Sequence, residues 1–290
     1  MHSSQSGNYH LVWAIKNGIM TDYDITKEML RYFINKATHQ SVSRPNVMIS
    51  VPCELSEVVR HALVDVVRHA GVQSVSLISA PIAAALGSGQ ILDLPDTILS
   101  VVVGKNLTDC GIYCCGGTVY EKSLAFGGHS IDLGICRFLQ KKYHLMVAPE
   151  QAEQLKHEWA SCISGEEQKI FTVRGRRLED GVEIIIELTN HELALVMQEN
   201  LMPVVKLIKD VLHYSTPEMA EDLIHNGMLL SGGSAQLPGI PQWISSQIGI
   251  PVFIPKEPET VVAIGCYQAI DNGKDLSLLI NRGDKYYGGF

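Results

Sequence analysis

Ser100-Val-Val-Val-Gly-Lys-Asn-Leu-Thr-Asp-Cys-Gly111 runs an apolar, β-branched strand into a tight turn at Gly104 and straight back out as a second strand. Working outward, the spacing predicts strands over Thr97–Val103, Cys110–Cys115 and Thr118–Leu124. Gly116-Gly117 is expected to be the two-residue hairpin turn between the last two, in a geometry that needs φ > 0. Gly127-Gly128 closes the meander. Upstream, Val47–Val51 reads as a strand and Ser56–Ala70 as a helix stopped by Gly71. Val75–Ile78 is the next strand, and Pro81 opens a small-residue helix over Ile82–Leu86. This strand–helix–strand alternation signals an α/β sheet.

Further elements follow the same logic. Met29, Leu30, Phe33 and Ile34 recur at helical spacing in Thr26–Ala37, with Asp24 or Thr26 as candidate caps. Downstream, helices are expected over His129–Tyr143, Pro149–Trp159, Asn190–Leu212, Pro238–Ile248 and Thr260–Ile270. Pro203 should kink or split the third of these. Gln168–Val173 and Val182–Leu188 read as a β-pair across the charged loop Arg174–Gly181. Gly227–Leu230 and Val252–Ile254 read as strands, with the glycine turn Ser231-Gly-Gly-Ser234 after the first. The tail Asn281–Phe290 is expected to fray. A domain boundary is placed in the turn-rich segment Gly87–Asp96.

The 290 residues are 46% hydrophobic and 19% charged, enough apolar content to bury a substantial core. A net charge of −8 with scattered basic residues argues against a nucleic-acid footprint. No apolar run approaches the ~20 residues that span a bilayer. The N-terminus lacks the pattern of an export signal, so a cytoplasmic location is expected. Seven cysteines without a framework fit a reducing compartment. Cys110, Cys114 and Cys115 cluster on a predicted strand. Positions 114 and 115 would face opposite ways, and no metal site is expected there.

Three segments could meet around one ligand: the hairpin at Gly104, the helix Glu153–Trp159 with Lys156 and Glu158, and the Ser231–Ser234 turn. Glycines at such turns let backbone N–H groups approach a ligand, and a helix that follows presents a positive end. Alone, each is an ordinary tight turn or a solvated helix face. Taken together, the chain resembles the MreB family of bacterial actin homologues from about Ala14 to about Ile270. The resemblance is carried by Gly18–Tyr23 with Met29–Ala37, by Val51-Pro52, by Ala80-Pro-Ile-Ala-Ala-Ala-Leu-Gly87, by Ala152-Glu-Gln-Leu-Lys-His-Glu158 and by Leu229-Leu-Ser-Gly-Gly-Ser-Ala-Gln-Leu237.

The resemblance implies an α/β, actin-like (ribonuclease-H-like) two-lobe ATPase fold. The first lobe would be residues 1–95 with about 258–290, and would lack its opening phosphate-loop strands. The second-lobe core would be 96–148 and 226–257, with 149–225 as its outer subdomain. The family works as ATP-dependent, membrane-associated filaments that guide wall synthesis and hold a rod shape.

Departures from the family concern the phosphates. The family's phosphate-loop Asp is Val102, which cannot hold Mg²⁺ or its waters. Two loop glycines are Lys105 and Asn106, leaving Gly104. The family's acidic pair before a proline is Ser79-Ala80, and neither residue can act as a general base. On the nucleoside side, Glu153, Lys156 and Glu158 match positions that contact sugar and base. Gly232 and Gly233, with Ser234, match the turn beside the adenine or α-phosphate. The membrane-binding loop corresponds to polar Thr38–Arg44. The expectation is a cell-shape protein of the MreB type, with weak ATP or ADP binding, doubtful Mg²⁺ and little hydrolysis. It would associate with itself, with other family subunits or with wall-synthesis proteins, peripheral membrane association staying open. The rivals are an ordinary ATP-binding filament protein and a non-polymerising pseudo-ATPase adaptor.

Overall fold

A computed structural model of the chain describes residues 12–16, 18–38, 44–92, 95–163, 165, 167–271 and 281–282. The expected polar loop Thr38–Arg44 and the fraying tail lie mostly outside these residues. By its internal contacts the chain divides into a smaller unit, Met1–Val47, Ser56–Val75 and Gly283–Phe290, and a larger one, Met48–Leu55 and Ser76–Arg282. The turn-rich segment 87–96 lies inside the larger unit.

The smaller unit opens with a short hairpin, β1 (Ile15–Lys16) and β2 (Ile19–Met20), followed by α1 (Tyr23–Ala37). This helix begins three residues earlier than the periodicity suggested, because Asp22, not Asp24 or Thr26, is its cap and accepts from the Ile25 N–H. After β3 (Asn46–Val51) comes α2 (Glu57–His69), capped by Ser56, whose hydroxyl accepts from Val59 N. Val64, Val66 and Val67 are buried. Tyr23 donates to Asp65 at 2.7 Å and joins α1 to α2.

In the larger unit, β4 (Ser74–Ser79) leads into α3 (Ala80–Gly87), with Pro81 in its first turn. Next comes the meander β5 (Ile98–Val103), β6 (Thr108–Cys114) and β7 (Gly117–Leu124). Its second turn is Cys115-Gly116, one residue earlier than expected: both have positive φ, and Gly117 already pairs with Cys114. Cys115 therefore sits in the turn and not on the strand. Then follow α4 (Gly128–Tyr143), β8 (Leu145–Met146), α5 (Pro149–Trp159), β9 (Ile170–Arg177) and β10 (Glu183–Thr189). The arginines read as loop belong to β9, so that turn is shorter than expected.

Asn190–Leu212 forms one unsplit helix, α6, despite Pro203. Pro203 faces outward, while Leu201, Val204, Val205 and Ile208 on either side are buried and hold both halves on the core. Its start is fixed by a reciprocal cap: Thr189 Oγ accepts from Glu192 N, and the Glu192 carboxylate accepts from Thr189 N. The sequence reading missed α7 (Pro217–Asn226), although Thr216-Pro217-Glu218 is a helix-start signature, and Thr216 caps it. The remaining elements are β11 (Met228–Ser231), α8 (Ile240–Ile248), β12 (Val252–Phe253), α9 (Val261–Asp271) and β13 (Asn281–Arg282).

The central sheet has the order β12-β11-β5-β6-β7, with β11 parallel to β12 and β5 and the meander antiparallel. Both faces of β5 are covered. Leu99, Val101 and Val103 enter a core built from α4, α6 and α8, whereas Ile98 and Val102 enter packing from α3 and α9 on the other side. A strand buried on both faces reads as an unbroken apolar run, which is why this one was legible. Each such side chain contributes roughly 1.5–3 kcal/mol on burial. Helices α3 and α9 cross where Gly87 meets Val261 and Gly265 meets Ala83. A Cβ at Gly265 would fall on the Ala83 carbonyl oxygen. Small sheets of order β10-β9-β8 and β13-β4-β3 complete the described elements.

Candidate functional site

β5 and β11 run parallel, with Val102 beside Ser231, so their carboxyl ends deliver two turns to one place. Ligands of open α/β sheets sit outside such carboxyl ends. After β5 the turn is closed by the Gly104 N–H donating to Leu107 O at 2.9 Å. After β11 the chain passes through Gly232 at φ +88, where a Cβ would strike the Val103 carbonyl, so the position demands glycine. The following helix is only a 3₁₀ turn, Gly233–Gln236, and α8 begins later, at Ile240. The helix expected over Pro238–Ile248 is α8, and its positive end therefore lies beyond the 3₁₀ turn and not at Ser231–Ser234.

Between the two turns lies a cleft of about 390 Å³, with Gly104, Lys105, Gly128, Glu153, Lys156, Gly233 and Ser234 among its walls. Its floor is ionic. Lys156 on α5 donates to Asp132 on α4 at 2.6 Å and to the Gly128 carbonyl at 3.3 Å. Lys156 is 8% exposed and Asp132 1%. An ammonium carries three donors, so one N–H is left for a ligand. At the rim, Lys105 stands 3.6 Å from Glu153, a solvent-exposed pair across the opening. Ser234 Oγ lies 3.5 Å from the Gly104 carbonyl.

The hairpin turn points its carbonyls, not its N–H groups, at the next helix. Gly104 O accepts from Gly128 N at 2.9 Å and Lys105 O accepts from His129 N at 2.8 Å. These are first-turn donors of α4, the groups that would otherwise be open to an anion. Gly127 is small for the same contact, since a Cβ there would sit 2.5 Å from Gly104 O.

The sequence-predicted residues divide cleanly. Gly104, Lys105, Glu153, Lys156, Gly233 and Ser234 meet in the cleft, and Gly232 shapes its wall from behind. Asn106 is in the hairpin turn and is not among the lining residues. Glu158 lies elsewhere, lining a separate pocket with Trp159, Ser161 and Lys169. Two residues beyond Lys156, it is about 200° round the helix and faces away. Val102 packs with Ala84, Leu229 and Val261 in an apolar cluster. Ser79 donates to the Glu121 carboxylate, on which the Tyr113 hydroxyl also converges, while Ala80 packs against the apolar cluster.

Sequence reasoning missed Asp132, His157, Gln236 and Glu259. Asp132 had a signal: an acid on the buried stripe of α4, beside Ile131 and Ile135, needs a cationic partner. Among the described residues no group of three or more His, Cys, Asp or Glu is arranged to hold a metal. No helix among them is long and apolar enough to cross a membrane.

The family model for MreB/Mbl protein matches residues 1–278. The cell shape-determining protein MreB of Escherichia coli (strain K12) is 32% identical over 276 residues, covering 93% of this chain and 80% of that protein. The cell shape-determining protein Mbl of Bacillus subtilis (strain 168) is 28% identical, covering 92% and 80%. Among solved structures, MreB5 of Spiroplasma citri bound to ADP is similar with a TM-score of 0.86 at 22% identity, over 93% of this chain and 82% of that one. A MamK double helical filament is similar with a TM-score of 0.75 at 16% identity, over 90% and 80%. The fold is that of the actin-like proteins.

Proposed function

The chain belongs to the MreB/Mbl family, and on that premise we propose that it is a cell-shape cytoskeletal protein that self-associates into filaments and holds adenine nucleotide by its nucleoside end, with little or no hydrolysis. Both relatives named above are cell shape-determining proteins, which supports the cytoskeletal role. The MamK filament supports self-association. The lobe division of the family, with a boundary in 87–96 and an outer subdomain over 149–225, is part of the same proposal.

One observation carries the reduced chemistry. Where a phosphate loop would need a carboxylate, Val102 is packed among Ala84, Leu229 and Val261. The nearby carboxylates are engaged: Asp109 accepts from Ser123 and from Cys53 N, and Glu153 pairs with Lys105. This donor set does not fit a Mg²⁺ ion, which wants oxygen ligands in octahedral array. Phosphoryl transfer rests on metal and positioned charge, so a pocket without them would bind and not turn over. Lys156, with one donor to spare, and Glu153 would orient the sugar and base.

Calorimetry with ATP, ADP and adenosine, each with and without Mg²⁺, tests this reading. Similar, Mg²⁺-independent affinities and no phosphate release are expected. Micromolar, Mg²⁺-dependent ATP binding with turnover abolished by Lys156→Ala would overturn it. That result would favour an ordinary ATP-dependent filament protein, a reading supported by the neighbouring MreB5 structures bound to ADP and to AMPPNP. Sedimentation and electron microscopy check the filament: a stable monomer under all conditions would leave the adaptor reading in its place.

A further inference from the structure

The tip of the β6–β7 hairpin carries two adjacent cysteines whose sulfurs stand 3.5 Å apart. Of the seven cysteines, Cys115 is the exposed one. It adopts φ +51 beside Gly116 at φ +71, a turn whose first position favours Asn, Asp or Gly. A cysteine in that strained setting calls for a reason other than turn propensity. Cys114 is half-buried, and its thiol donates to the Pro95 carbonyl at 3.2 Å. The Gly116 N–H donates to Leu92 O at 2.8 Å. The tip is thus tied to the segment that enters β5. Burial pushes the Cys162 thiol up to about 12 and the Cys266 thiol to about 11, and it raises that of Cys114 as well, which suppresses their thiolates and leaves the exposed Cys115 as the sulfur a solution oxidant reaches.

We propose that Cys114 and Cys115 form a reversible redox pair that takes a hydroperoxide as oxidant and closes to a vicinal disulfide. The exposed Cys115 thiolate attacks one peroxide oxygen. The O–O bond breaks, the other oxygen leaves and is protonated to water or an alcohol, and Cys115 becomes a sulfenic acid. The Cys114 sulfur then attacks the Cys115 sulfur. The S–S bond forms, the S–O bond breaks, and the hydroxyl leaves as water with the proton from Cys114. Two thiols lose two electrons and the peroxide gains them.

Adjacent Cα atoms are about 3.8 Å apart, below the ~4.4–6.8 Å that relaxed disulfides span. The closed form is strained and readily reopened by a thiol reductant, as suits a switch and not a staple. Closing removes the S–H that Cys114 donates to Pro95 and twists the turn beside the Gly116–Leu92 bond. Oxidation therefore loosens the hairpin tip from the entry to β5, the strand that leads to the cleft.

The full-length protein treated with a small excess of hydrogen peroxide, alkylated and digested without reductant should yield one peptide containing both cysteines. It should be unalkylated and two hydrogens lighter than the dithiol, and dithiothreitol should reverse this. In Cys114→Ser, dimedone should trap a sulfenic acid at Cys115, while Cys115→Ser should leave Cys114 alkylable. Hydrogen exchange at the Gly116 amide should quicken on oxidation of the native chain and not of Cys115→Ser. Over-oxidation of Cys115 with Cys114 still alkylable, or a disulfide-linked dimer in place of the internal bond, would overturn the proposal.

Discussion

Replacing Lys156 by Met keeps the volume and apolar stem of the side chain and deletes its charge. Asp132, 1% exposed, then loses the ammonium that meets it at 2.6 Å. Breaking one side of a buried pair costs about 3–5 kcal/mol, because the surviving charge stays desolvated. In a unit of this size that lowers the melting temperature by roughly 6–20 °C. Urea unfolding of the native chain, Lys156→Met, Asp132→Leu and the double variant at pH 7 measures this. The double variant should recover to within about 1–2 kcal/mol of the native chain, since apolar replacement of both partners removes the stranded charge. If Lys156→Met costs under about 1 kcal/mol at pH 7, the pair is not a desolvated ion pair and the cleft has no ionic floor.

Three other outcomes follow from the packing. Gly265→Ala should destabilise by about 2–4 kcal/mol in thermal melts, because the new methyl falls on the Ala83 carbonyl and forces α3 and α9 apart. Burial pushes the Glu192 carboxyl up, but donors from Lys142, Tyr143 and Thr189 together hold it at about 2. Its folded pKa is depressed, so its stabilisation is present above the unfolded value of about 4.3 and is lost as pH falls toward 2. At neutral pH this is about 1–2 kcal/mol after screening, and Glu192→Gln should flatten the acid limb of the stability curve. Cys115→Asn should place an Asn-Gly turn at the hairpin tip and raise the melting temperature by a few degrees, about 1 kcal/mol, because Asn adopts the positive φ of that position at lower cost than Cys.

Much of the fold could be read from local pattern. β5 showed as an apolar run because both its faces are covered, and α2 and α5 showed through caps, prolines and helical spacing. Misplacements came where two local signals competed. Asp24 and Thr26 were the caps offered for α1, but Asp22 caps it by accepting from Ile25 N. Pro203 predicted a break, yet the buried residues flanking it outweigh one lost hydrogen bond. At the site, the family resemblance named Glu153, Lys156 and Glu158 together; Glu153 and Lys156, at i and i+3, share the helix face that lines the cleft, while Glu158 points the other way.

The sequence by itself determined the order and type of most elements, the glycine turns after β5 and β11, and the apolar character of β5 up to Val102. These are matters of residue type and short-range geometry, which act over a few neighbours along the chain. The tertiary structure alone decided that Lys156 closes on Asp132, 24 residues away, and that Ser234 reaches Gly104 across 130. It also turned the carbonyls of Gly104 and Lys105 onto α4. Such pairings depend on how strands register and helices pack. A buried charge or an open N–H takes whichever partner the fold brings within about 3 Å, and no local pattern names that partner.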